Sequence, residues 1–564
     1  MKYVFAVIWG CWAVPSILVG QNMKWSIKID STWIMSSPRL VDLNQDNILD
    51  VVIGAGAEKL RSEEGILALN GADGSTLWKR YCRDQIYSSA LLYDLNQDGV
   101  EDVFMCGRSA QMMALNGKDG STLWEFWPDT KGNPADSGWY NFYQPRLIPD
   151  VNGDSIPDLL TANGGGAVLP AGMPRPAGNL MILNTVNGRI IQMGPMPDGR
   201  ETYFAPIRYD FPGEGPKYIF GSGGEGRPGG LWRVNENNFL DLGTLTASPI
   251  LLDSIKGFIA HPSLVDLNGD GREELIVPQL ERKLVAYDLA NSQIYWELDL
   301  TGYENYTSPA IGQFVGDPTP DIFATFASPR WPYYQGFQQI IVDGQSGEIA
   351  WLDSTDIYFQ MCQVNVLDWD GDGYDEIFRL KNGSASVSSL LYTNQFELLD
   401  INDDSRQLIG PSRTGINFFS TPAIEDMDND GLLDVVFASS SSINQWSSKE
   451  GGNVERMEIS QPIGHIAWGE YLGNEKDGRY LPKLFTSIEQ EEESLSIYPN
   501  PFKHTLYLPD GWQNSQVRLI DLSGRIIKQE KITREATWED VPKGFYVLEI
   551  SHRKGTNRQL IQKE

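Results

Sequence analysis

The sequence predicts an all-β fold built from repeats, followed by a second and smaller all-β unit. Two observations support this prediction. An acidic nine-residue segment recurs along most of the 564-residue chain, and short runs of apolar and β-branched residues flank each copy. Turns of the Asn-Gly and Asp-Gly type separate these runs, and such turns favour antiparallel hairpins because their residues tolerate a positive φ.

The acidic segment carries oxygen-bearing side chains at fixed positions. Asp or Asn occupies positions 1, 3 and 5 and a carboxylate occupies position 9, as in DLNQDGVED at residues 94–102. Calcium takes roughly six to eight oxygen ligands, and without a cation these carboxylates would repel one another. The pattern predicts about six calcium sites, with acidic surface turns as the alternative. The predicted ligands are Asp42, Asn44, Asp46, Asp50, Asp94, Asn96, Asp98, Asp102, Asp150, Asn152, Asp154, Asp158, Asp266, Asn268, Asp270, Glu274, Asp368, Asp370, Asp372, Glu376, Asp426, Asp428, Asp430 and Asp434.

The spacing of these segments reveals further copies. The six segments begin at residues 42, 94, 150, 266, 368 and 426. Two of the intervals are about two periods long, and each contains a degenerate copy, one through Asp210 and one through Asp317 and Asp321. Eight repeats of 47 to 60 residues result. The degenerate copies lack too many oxygens, so we predict no tight metal site there. The segment after the eighth copy, residues 465–485, is either a last strand or a degenerate ninth copy.

Each repeat reads as four short strands, with the acidic segment between the first and the second. The fourth strand follows the Asn-Gly-type turn and carries a tryptophan in several repeats, as at Trp78 and Trp124. Four antiparallel strands in a repeat of this length are typical of a β-propeller blade, and we expect the tryptophans to pack between blades. We predict eight blades, with seven as the alternative. Trp25 lies where a fourth strand would precede the first repeat, so we expect the N-terminal strand to complete the last blade.

These motifs resemble known repeat families. The DxNxDGxxD loop after a short strand resembles the FG-GAP and VCBS-type repeats of integrin-like propellers. The ALNGADGSTLW segment at residues 68–78 resembles the tryptophan-docking repeats of quinoprotein-like propellers. The resemblance covers roughly residues 22–480, and it implies a propeller with calcium carried in the loop between the first and second strands.

Composition narrows the classes of partner. The chain has 75 acidic and 45 basic residues, a net charge of −30 and a pI near 4.5. This balance argues against nucleic acid, whose phosphates need a basic surface. The six acidic segments hold 20 carboxylates at positions 1, 3, 5 and 9, so bound calcium would account for much of the acidity.

Residues 1–21 predict a secretory signal peptide, because Lys2 precedes an uncharged apolar run that is too short for a convincing membrane span. A lipoprotein box at Cys11 is the alternative. The other cysteines are Cys82, Cys106 and Cys362, too few for a disulfide framework in an exported chain of this size. We expect buried free thiols, with a Cys82–Cys106 bridge as the alternative.

A charged linker at residues 489–494 separates the predicted propeller, residues 22–488, from a C-terminal module at residues 495–564. Alternating apolar residues between turns predict a small β-sandwich in this module. A YPNP segment, a D-x-x-G-R turn and a G-x-Y-x-L strand follow in order, and they resemble the C-terminal sorting domain of the type IX secretion system of Bacteroidota. The resemblance implies Sec export, recognition by the type IX secretion machinery, passage across the outer membrane, and removal of the module as the protein is released or anchored to the surface.

The sequence offers no catalytic motif. It contains four histidines and no G-x-S-x-G, HExxH, CxxC or P-loop pattern. We therefore predict no catalytic residues and favour a secreted or surface-displayed module for binding or adhesion. The alternatives are a polysaccharide lyase on a calcium-loaded propeller, and a quinoprotein dehydrogenase, for which the chain lacks a vicinal cysteine pair.

Strand alternation locates the predicted ligand face. In a four-stranded antiparallel blade, the acidic segments and the Asn-Gly turns share one face, and the loops after the second and fourth strands lie on the other. These loops are longer, and their aromatic and arginine residues are of the types that anchor sugars or protein partners. The alternative is that the loops bury their aromatic residues to stay ordered. The predicted contacts with an extracellular glycan or surface protein are Trp139, Tyr140, Arg175, Arg227, Trp331, Tyr333 and Tyr334.

Overall fold

The computed structural model consists almost entirely of β-strands and divides into two compact units, Met1–Lys483 and Leu484–Glu564. The predicted linker at 489–494 and all but the last residue of the predicted signal peptide lie outside the described residues. The structure describes residues 21–482 and 502–563, apart from residues 31, 59, 127–140, 165–175, 225, 243–244, 331–333, 355–360, 387–390, 442–450, 508–514, 522–524 and 553–554.

The described strands of the first unit form eight successive antiparallel groups of four, and within each group the strands pair side by side. A single pairing, between Glu304 and Ala327, links the fifth and sixth groups. This is the strand arrangement of propeller blades, and the unit is a β-propeller. The eighth group includes the N-terminal strand, β1 (Gln21–Ile29).

The bounds of the strands follow the repeats of the sequence. The first four groups are β2 (Arg39–Val41), β3 (Asp50–Gly54), β4 (Ser62–Leu69) and β5 (Thr76–Cys82); β6 (Leu91–Tyr93), β7 (Asp102–Cys106), β8 (Met112–Leu115) and β9 (Thr122–Glu125); β10 (Asn141–Ile148), β11 (Asp158–Gly164), β12 (Asn179–Leu183) and β13 (Ile190–Pro195); and β14 (Ile207–Phe211), β15 (Gly215–Gly221), β16 (Gly229–Asn235), helix α1 (Glu236–Leu242) and β17 (Ser248–Asp253). The last four are β18 (Ser263–Val265), β19 (Glu274–Pro278), β20 (Glu281–Asp288) and β21 (Gln293–Glu304); β22 (Ala310–Gly312), β23 (Asp321–Ser328), β24 (Gly336–Val342) and β25 (Ile349–Asp353); β26 (Asn365–Leu367), β27 (Glu376–Ser386), β28 (Leu391–Asp400) and β29 (Ser405–Thr414); and β30 (Ala423–Glu425), β31 (Leu432–Ser440) and β32 (Gly452–Pro462) with β1.

The N-terminal strand completes the last group. Strand β1 pairs antiparallel with β32, with Ile27 opposite Val454, so the order in this sheet is β30, β31, β32, β1. The expected completion of the last blade by the N-terminus is confirmed. It joins the two ends of the repeat array by backbone hydrogen bonds. The blade count of eight stays a prediction, which these eight strand groups support.

Tryptophans on the fourth strands connect neighbouring groups. The indole N–H of Trp78 donates to the carbonyl oxygen of Gly117, in the turn of the next group, at 2.7 Å. The ring covers Gly120, which has a φ of 67°, and a Cβ there would lie 2.6 Å from the indole. The predicted packing of tryptophans between blades is confirmed. The same hydrogen bond recurs in the pairs Trp25–Gly71, Trp124–Thr185 and Trp296–Gly344, at 2.7, 2.7 and 2.8 Å.

The segment after the eighth copy is not a further blade. Its short strand β33 (Ile466–Trp468) pairs with β26, the first strand of the seventh group. Farther on, the N–H of Leu264, in the first strand of the fifth group, donates to the Gly478 carbonyl at 2.8 Å. Residues 466–480 therefore run across the first strands of several groups, and we call them the axial segment.

The C-terminal unit has two antiparallel sheets around its own hydrophobic core. One sheet has the order β36, β35, β38, β39, and the other pairs β34 with β37. Phe502, Val517 and Trp538 are among the buried residues of this core. The predicted β-sandwich stays a prediction. The strands are β34 (Thr505–Tyr507), β35 (Ser515–Asp521), β36 (Ile526–Ile532), β37 (Glu535–Thr537), β38 (Gly544–His552) and β39 (Gly555–Lys563).

The three cysteines of the described residues are buried free thiols, as the sequence predicted: Cys82, Cys106 and Cys362. Burial raises the pKa of the Cys82 and Cys106 thiols to about 12. A thiol with so high a pKa is inert, so these residues serve as small core side chains.

Candidate functional site

Each acidic loop connects the first strand of its group to the second. In the first group, Val41 at the end of β2 pairs with Asp50 at the start of β3, and the loop lies between them. Asp50 is position 9 and is fully buried. Its carboxylate accepts the backbone N–H groups of Leu43 at 3.0 Å, Asn44 at 3.2 Å and Gly71 at 2.9 Å. Position 9 thus ties the acidic loop to the Asn-Gly turn of the same group.

The degenerate copy in the sixth group shows what position 9 does where position 3 is Val315, which has no side-chain oxygen. In the sixth group, Asp321 accepts the N–H groups of Val315 at 2.8 Å and Gly344 at 3.2 Å, as Asp50 does in the first group. Position 9 therefore has a structural role that needs no metal. In the fourth group, Asp210 lies within β14 and pairs with Arg208 at 2.9 Å.

The side chains at positions 1, 3 and 5 fold over the loop backbone. In the second group, Asp94 accepts the N–H of Asp98 at 3.1 Å and of Gly99 at 3.0 Å. The Asn96 side-chain oxygen accepts the Asp98 N–H at 2.9 Å, and the Asp98 carboxylate accepts the N–H of Val100 at 3.0 Å. These bonds hold three oxygen-bearing side chains against one turn of backbone, which is the donor set that calcium prefers.

Burial makes the position 9 carboxylates hard to ionise. Desolvation raises the pKa of Asp50 to about 6, of Glu274 to about 7 and of Glu376 to about 8. A divalent cation beside such a group would stabilise its charged form, so metal binding would release protons.

Among the described residues, two acidic loops bring three carboxylates close enough to share an ion. The carboxylate oxygens of Asp368, Asp370 and Glu376 lie within 4.8 Å of one another. In four other loops position 3 is Asn, and its side-chain amide donates to the position 9 carboxylate, as from Asn152 to Asp158 at 2.7 Å. These acidic clusters could hold metal ions.

The last acidic loop differs because a cation of the protein occupies it. Arg456 is 1% exposed, and its guanidinium lies 2.6 Å from the Asp428 carboxylate and 2.7 Å from that of Asp434, which are positions 3 and 9. It also donates to the Gly71 carbonyl at 2.9 Å, across the junction with the first group. The set Asp426, Asp428 and Asp434 has the spacing of a metal cluster, but Arg456 already neutralises two of its members.

A cavity of about 300 Å³ lies at the opposite end of the first strands from the acidic loops. Every one of the eight groups contributes the same repeat position to its wall, the residue seven places before position 1. In seven groups this residue stands four places before the first strand, and in the third group it lies within β10. Because the acidic loop follows the first strand, the cavity is on the face that the sequence predicted for ligands. The eight residues are Met35, Tyr87, Tyr143, Tyr203, Ile259, Tyr306, Met361 and Phe419.

Two basic side chains line this cavity. Arg108 donates from Nε to the Gln85 side-chain oxygen at 3.3 Å, and its guanidinium lies 5.8 Å from the centroid of the Tyr87 ring. His261 is buried, and its Nε2 lies 2.6 Å from a guanidinium nitrogen of Arg146. Since arginine is the donor, Nε2 accepts. Burial and the neighbouring guanidinium hold the pKa of His261 well below its usual range, so the imidazole is neutral.

Most of the predicted ligand contacts lie outside the described residues: Trp139, Tyr140, Arg175, Trp331 and Tyr333. Arg227 is half-buried in the fourth group. Tyr334 departs from the expectation of an exposed aromatic, because it is 6% exposed and its hydroxyl donates to Glu304 at 2.7 Å. It belongs to a core cluster with Trp33 and Phe418. The cavity residues were not predicted as a set, although a tyrosine stands at the same repeat position in four of the eight copies.

Comparison with protein families assigns the C-terminal unit. Residues 496–563 match the family described as the secretion system C-terminal sorting domain. The C-terminal unit is a type IX sorting domain. The protein is therefore exported by the type IX secretion system and is secreted or displayed at the cell surface. In the described residues, no helix has both the length and the apolar character needed to cross a membrane. The search of curated proteins found no match to the sequence.

Solved structures of low sequence identity are similar to this chain over most of its length. The biofilm matrix protein Bap1 of V. cholerae is similar with a TM-score of 0.52 and 13% identity, over 80% of this chain and 94% of that one. A quinohemoprotein alcohol dehydrogenase from Pseudomonas putida HK5 has a TM-score of 0.48 and 12% identity, over 79% and 77% of the two chains. The exotype rhamnogalacturonan lyase YesX has a TM-score of 0.46 and 14% identity, over 75% and 72%.

Proposed function

We propose that this protein is an exported calcium-binding propeller that acts as a non-catalytic binding module for an extracellular partner, a glycan or a surface protein. The observation that carries the proposal is the division of the propeller into two faces. One carries the acidic loops, and the other carries the cavity to which all eight groups contribute. The first face stabilises the fold through metal, and the second is free to bind.

Calcium is supported by the donor set of the loops. Positions 1, 3 and 5 offer side-chain oxygens on one turn of backbone, and position 9 offers a buried carboxylate whose ionisation a cation would favour. We propose about five occupied loops. The loop at residues 426–434 is the exception, because the Arg456 guanidinium already binds positions 3 and 9.

A binding role without catalysis is supported by the state of the cavity histidine. General base catalysis needs a free acceptor nitrogen of suitable pKa at the reacting atom. In His261 the Nε2 accepts from Arg146 inside the protein, and the ring stacks on Phe204 with centroids 5.9 Å apart. This residue is therefore better suited to shaping the cavity than to moving protons.

The test is binding by the full-length chain to purified polysaccharides and to cell-envelope protein fractions, measured by co-sedimentation in calcium. We expect the wild type to bind one of these materials and the Trp331→Ala/Tyr333→Ala double variant to bind at least about tenfold more weakly, with an unchanged melting temperature. The Trp351→Phe variant, on a fourth strand, is the control and should bind as wild type. Binding to none of the materials, or the release of unsaturated sugar products, contradicts the proposal.

A further inference from the structure

The central cavity has an arc of tyrosine rings in its wall. The ring centroids of Tyr87 and Tyr143 lie 5.7 Å apart, and those of Tyr143 and Tyr203 lie 5.8 Å apart. Three consecutive groups thus present contiguous aromatic surface, and Tyr306 and Phe419 add to it from other groups. Aromatic walls favour a guest with an aromatic ring, which packs on them edge-to-face or in an offset stack.

The polar side chains of the cavity are mostly satisfied by the protein itself. Gln144 exchanges two hydrogen bonds with the backbone of Ser89, at 2.9 and 3.0 Å. Gln363 accepts from the N–H of Leu472 at 2.9 Å and donates to the Pro309 carbonyl at 3.0 Å. A guest rich in hydroxyls would leave many of them unpaired here, and each unpaired hydroxyl would weaken binding. The cavity is therefore a poor site for a sugar ring.

One charge in the cavity has no carboxylate in direct contact with it. The buried guanidiniums of Arg39, Arg379 and Arg456 each lie within 3.1 Å of a carboxylate. By contrast, no carboxylate in the described part of the chain lies within 4.0 Å of the Arg108 guanidinium. Glu58 and Asp84 act on it from farther away, and Asp84 also accepts the Ser109 hydroxyl at 2.8 Å. In a chain with 75 acids and 45 bases, this leaves a guanidinium open to an external carboxylate.

We propose that the cavity binds an aromatic ring that carries a carboxylate, with the ring against the tyrosine arc and the carboxylate on Arg108. The assignment rests on the proposed function, since it names the site and the ligand chemistry of the binding face. A volume of about 300 Å³ is at the lower limit for ligand pockets and suits one ring with its substituent. Such a group has two sources, the C-terminal aromatic residue of a polypeptide and a free aromatic acid.

The test is calorimetric titration of the full-length chain with N-acetyl-phenylalanine, its amide, a free hydroxycinnamate and galacturonate. We expect the acid to bind at least tenfold more tightly than the amide, because only the acid can form a charge-assisted pair with arginine. Arg108→Gln should abolish this preference. Arg189→Gln, the same change at an exposed residue outside the cavity, should leave it intact. Ile259→Trp, which fills the cavity, should weaken both ligands and serves as a second variant if Arg108→Gln is unstable.

The results distinguish the two sources of the ligand, and they distinguish the cavity assignment from the proposed function. Tighter binding of N-acetyl-phenylalanine than of the hydroxycinnamate assigns a polypeptide C-terminus, and the reverse order assigns a free acid. Equal affinity for acid and amide, or binding of galacturonate alone, overturns the assignment. If Arg108→Gln and Ile259→Trp still bind the extracellular material as wild type does, the cavity assignment fails and the proposed function stands. A wild type that binds no such material overturns the proposed function itself.

Discussion

The carboxylate at position 9 holds the acidic loop together whether or not a metal is there. Asp50 and Asp321 make equivalent bonds to the loop and to the turn glycine, yet only the first belongs to a loop with oxygens at positions 1, 3 and 5. Burying an acid in this way is costly when it ionises. In the loops that we propose to bind metal a cation would offset that cost, whereas in the sixth group only the backbone N–H donors do.

Asp321 should therefore make the protein less stable as the pH rises. Burial raises its pKa from 3.8 to about 7, so its contribution to stability is fully present below the lower value and is lost as the pH rises through the higher one. Between about pH 5.5 and pH 8, the free energy of unfolding of the wild type should decrease by about 2 kcal/mol more than that of the Asp321→Asn variant. Urea unfolding at the two pH values measures this, with Asp317→Asn in the same loop as the control. Parallel pH profiles of wild type and Asp321→Asn would show that the carboxyl does not titrate in this range.

At the level of elements, one glycine in each of three turns makes two backbone hydrogen bonds, one within its group and one to the preceding group. Gly117 donates its N–H to position 9 of its own group at 3.1 Å, and its carbonyl accepts the indole N–H of Trp78 from the preceding group at 2.7 Å. Gly71 and Gly344 do the same in their groups. The conformation of the acidic loop within a group is therefore linked to the packing of tryptophan between groups.

This linkage predicts that two Trp→Phe substitutions lower the free energy of unfolding by different amounts. Trp78→Phe leaves a buried carbonyl without its donor and should lower the free energy of unfolding by about 2 kcal/mol. Trp351 occupies the same repeat position but is half-buried, and its indole N–H has no acceptor in the described residues. Trp351→Phe should cost less than about 1 kcal/mol. Chemical unfolding in excess calcium compares the two, and equal losses would remove the special role of the indole bond.

The sequence predicted these elements well where a local pattern specifies them. The acidic loops, the Asn-Gly turns and the tryptophans repeat, so each copy supports the others. The axial segment has no repeat, and its place across the first strands is set by tertiary contacts alone. The cavity could not be predicted from a local pattern either, because Tyr87 and Tyr306 line the same cavity only once the groups surround a common space. Tyr334 was predicted to be exposed from its loop, but the Glu304 carboxylate and an aromatic cluster bury it.

At the scale of the molecule, the two units have different roles: the C-terminal unit directs export, and we propose that the propeller binds a partner after export. The propeller is completed by its own N-terminal strand, while the C-terminal unit has a separate hydrophobic core and the sequence of a sorting domain. A sorting signal with its own core does not depend on the propeller for its fold.

Removal of the sorting unit should therefore block export without unfolding the propeller. In a host with type IX machinery, deletion of residues 495–564 should leave the protein in the periplasm, with the melting temperature of the propeller unchanged. Fractionation and immunoblotting locate the protein. Secretion of the truncated chain, or a full-length C-terminus on the extracellular protein, would contradict the assigned processing.

The calcium content of the full-length chain tests the central claim most directly. After chelation and dialysis against calcium, metal analysis should find about five ions per chain, and chelation should lower the melting temperature. Asp270→Ala removes the position 5 side-chain oxygens from an acidic loop and should lower the count by one. Asp317→Ala removes the equivalent oxygens from a degenerate loop and should leave it unchanged. A chain that holds no calcium, or that loses the same amount with both substitutions, would contradict this account of the acidic repeats.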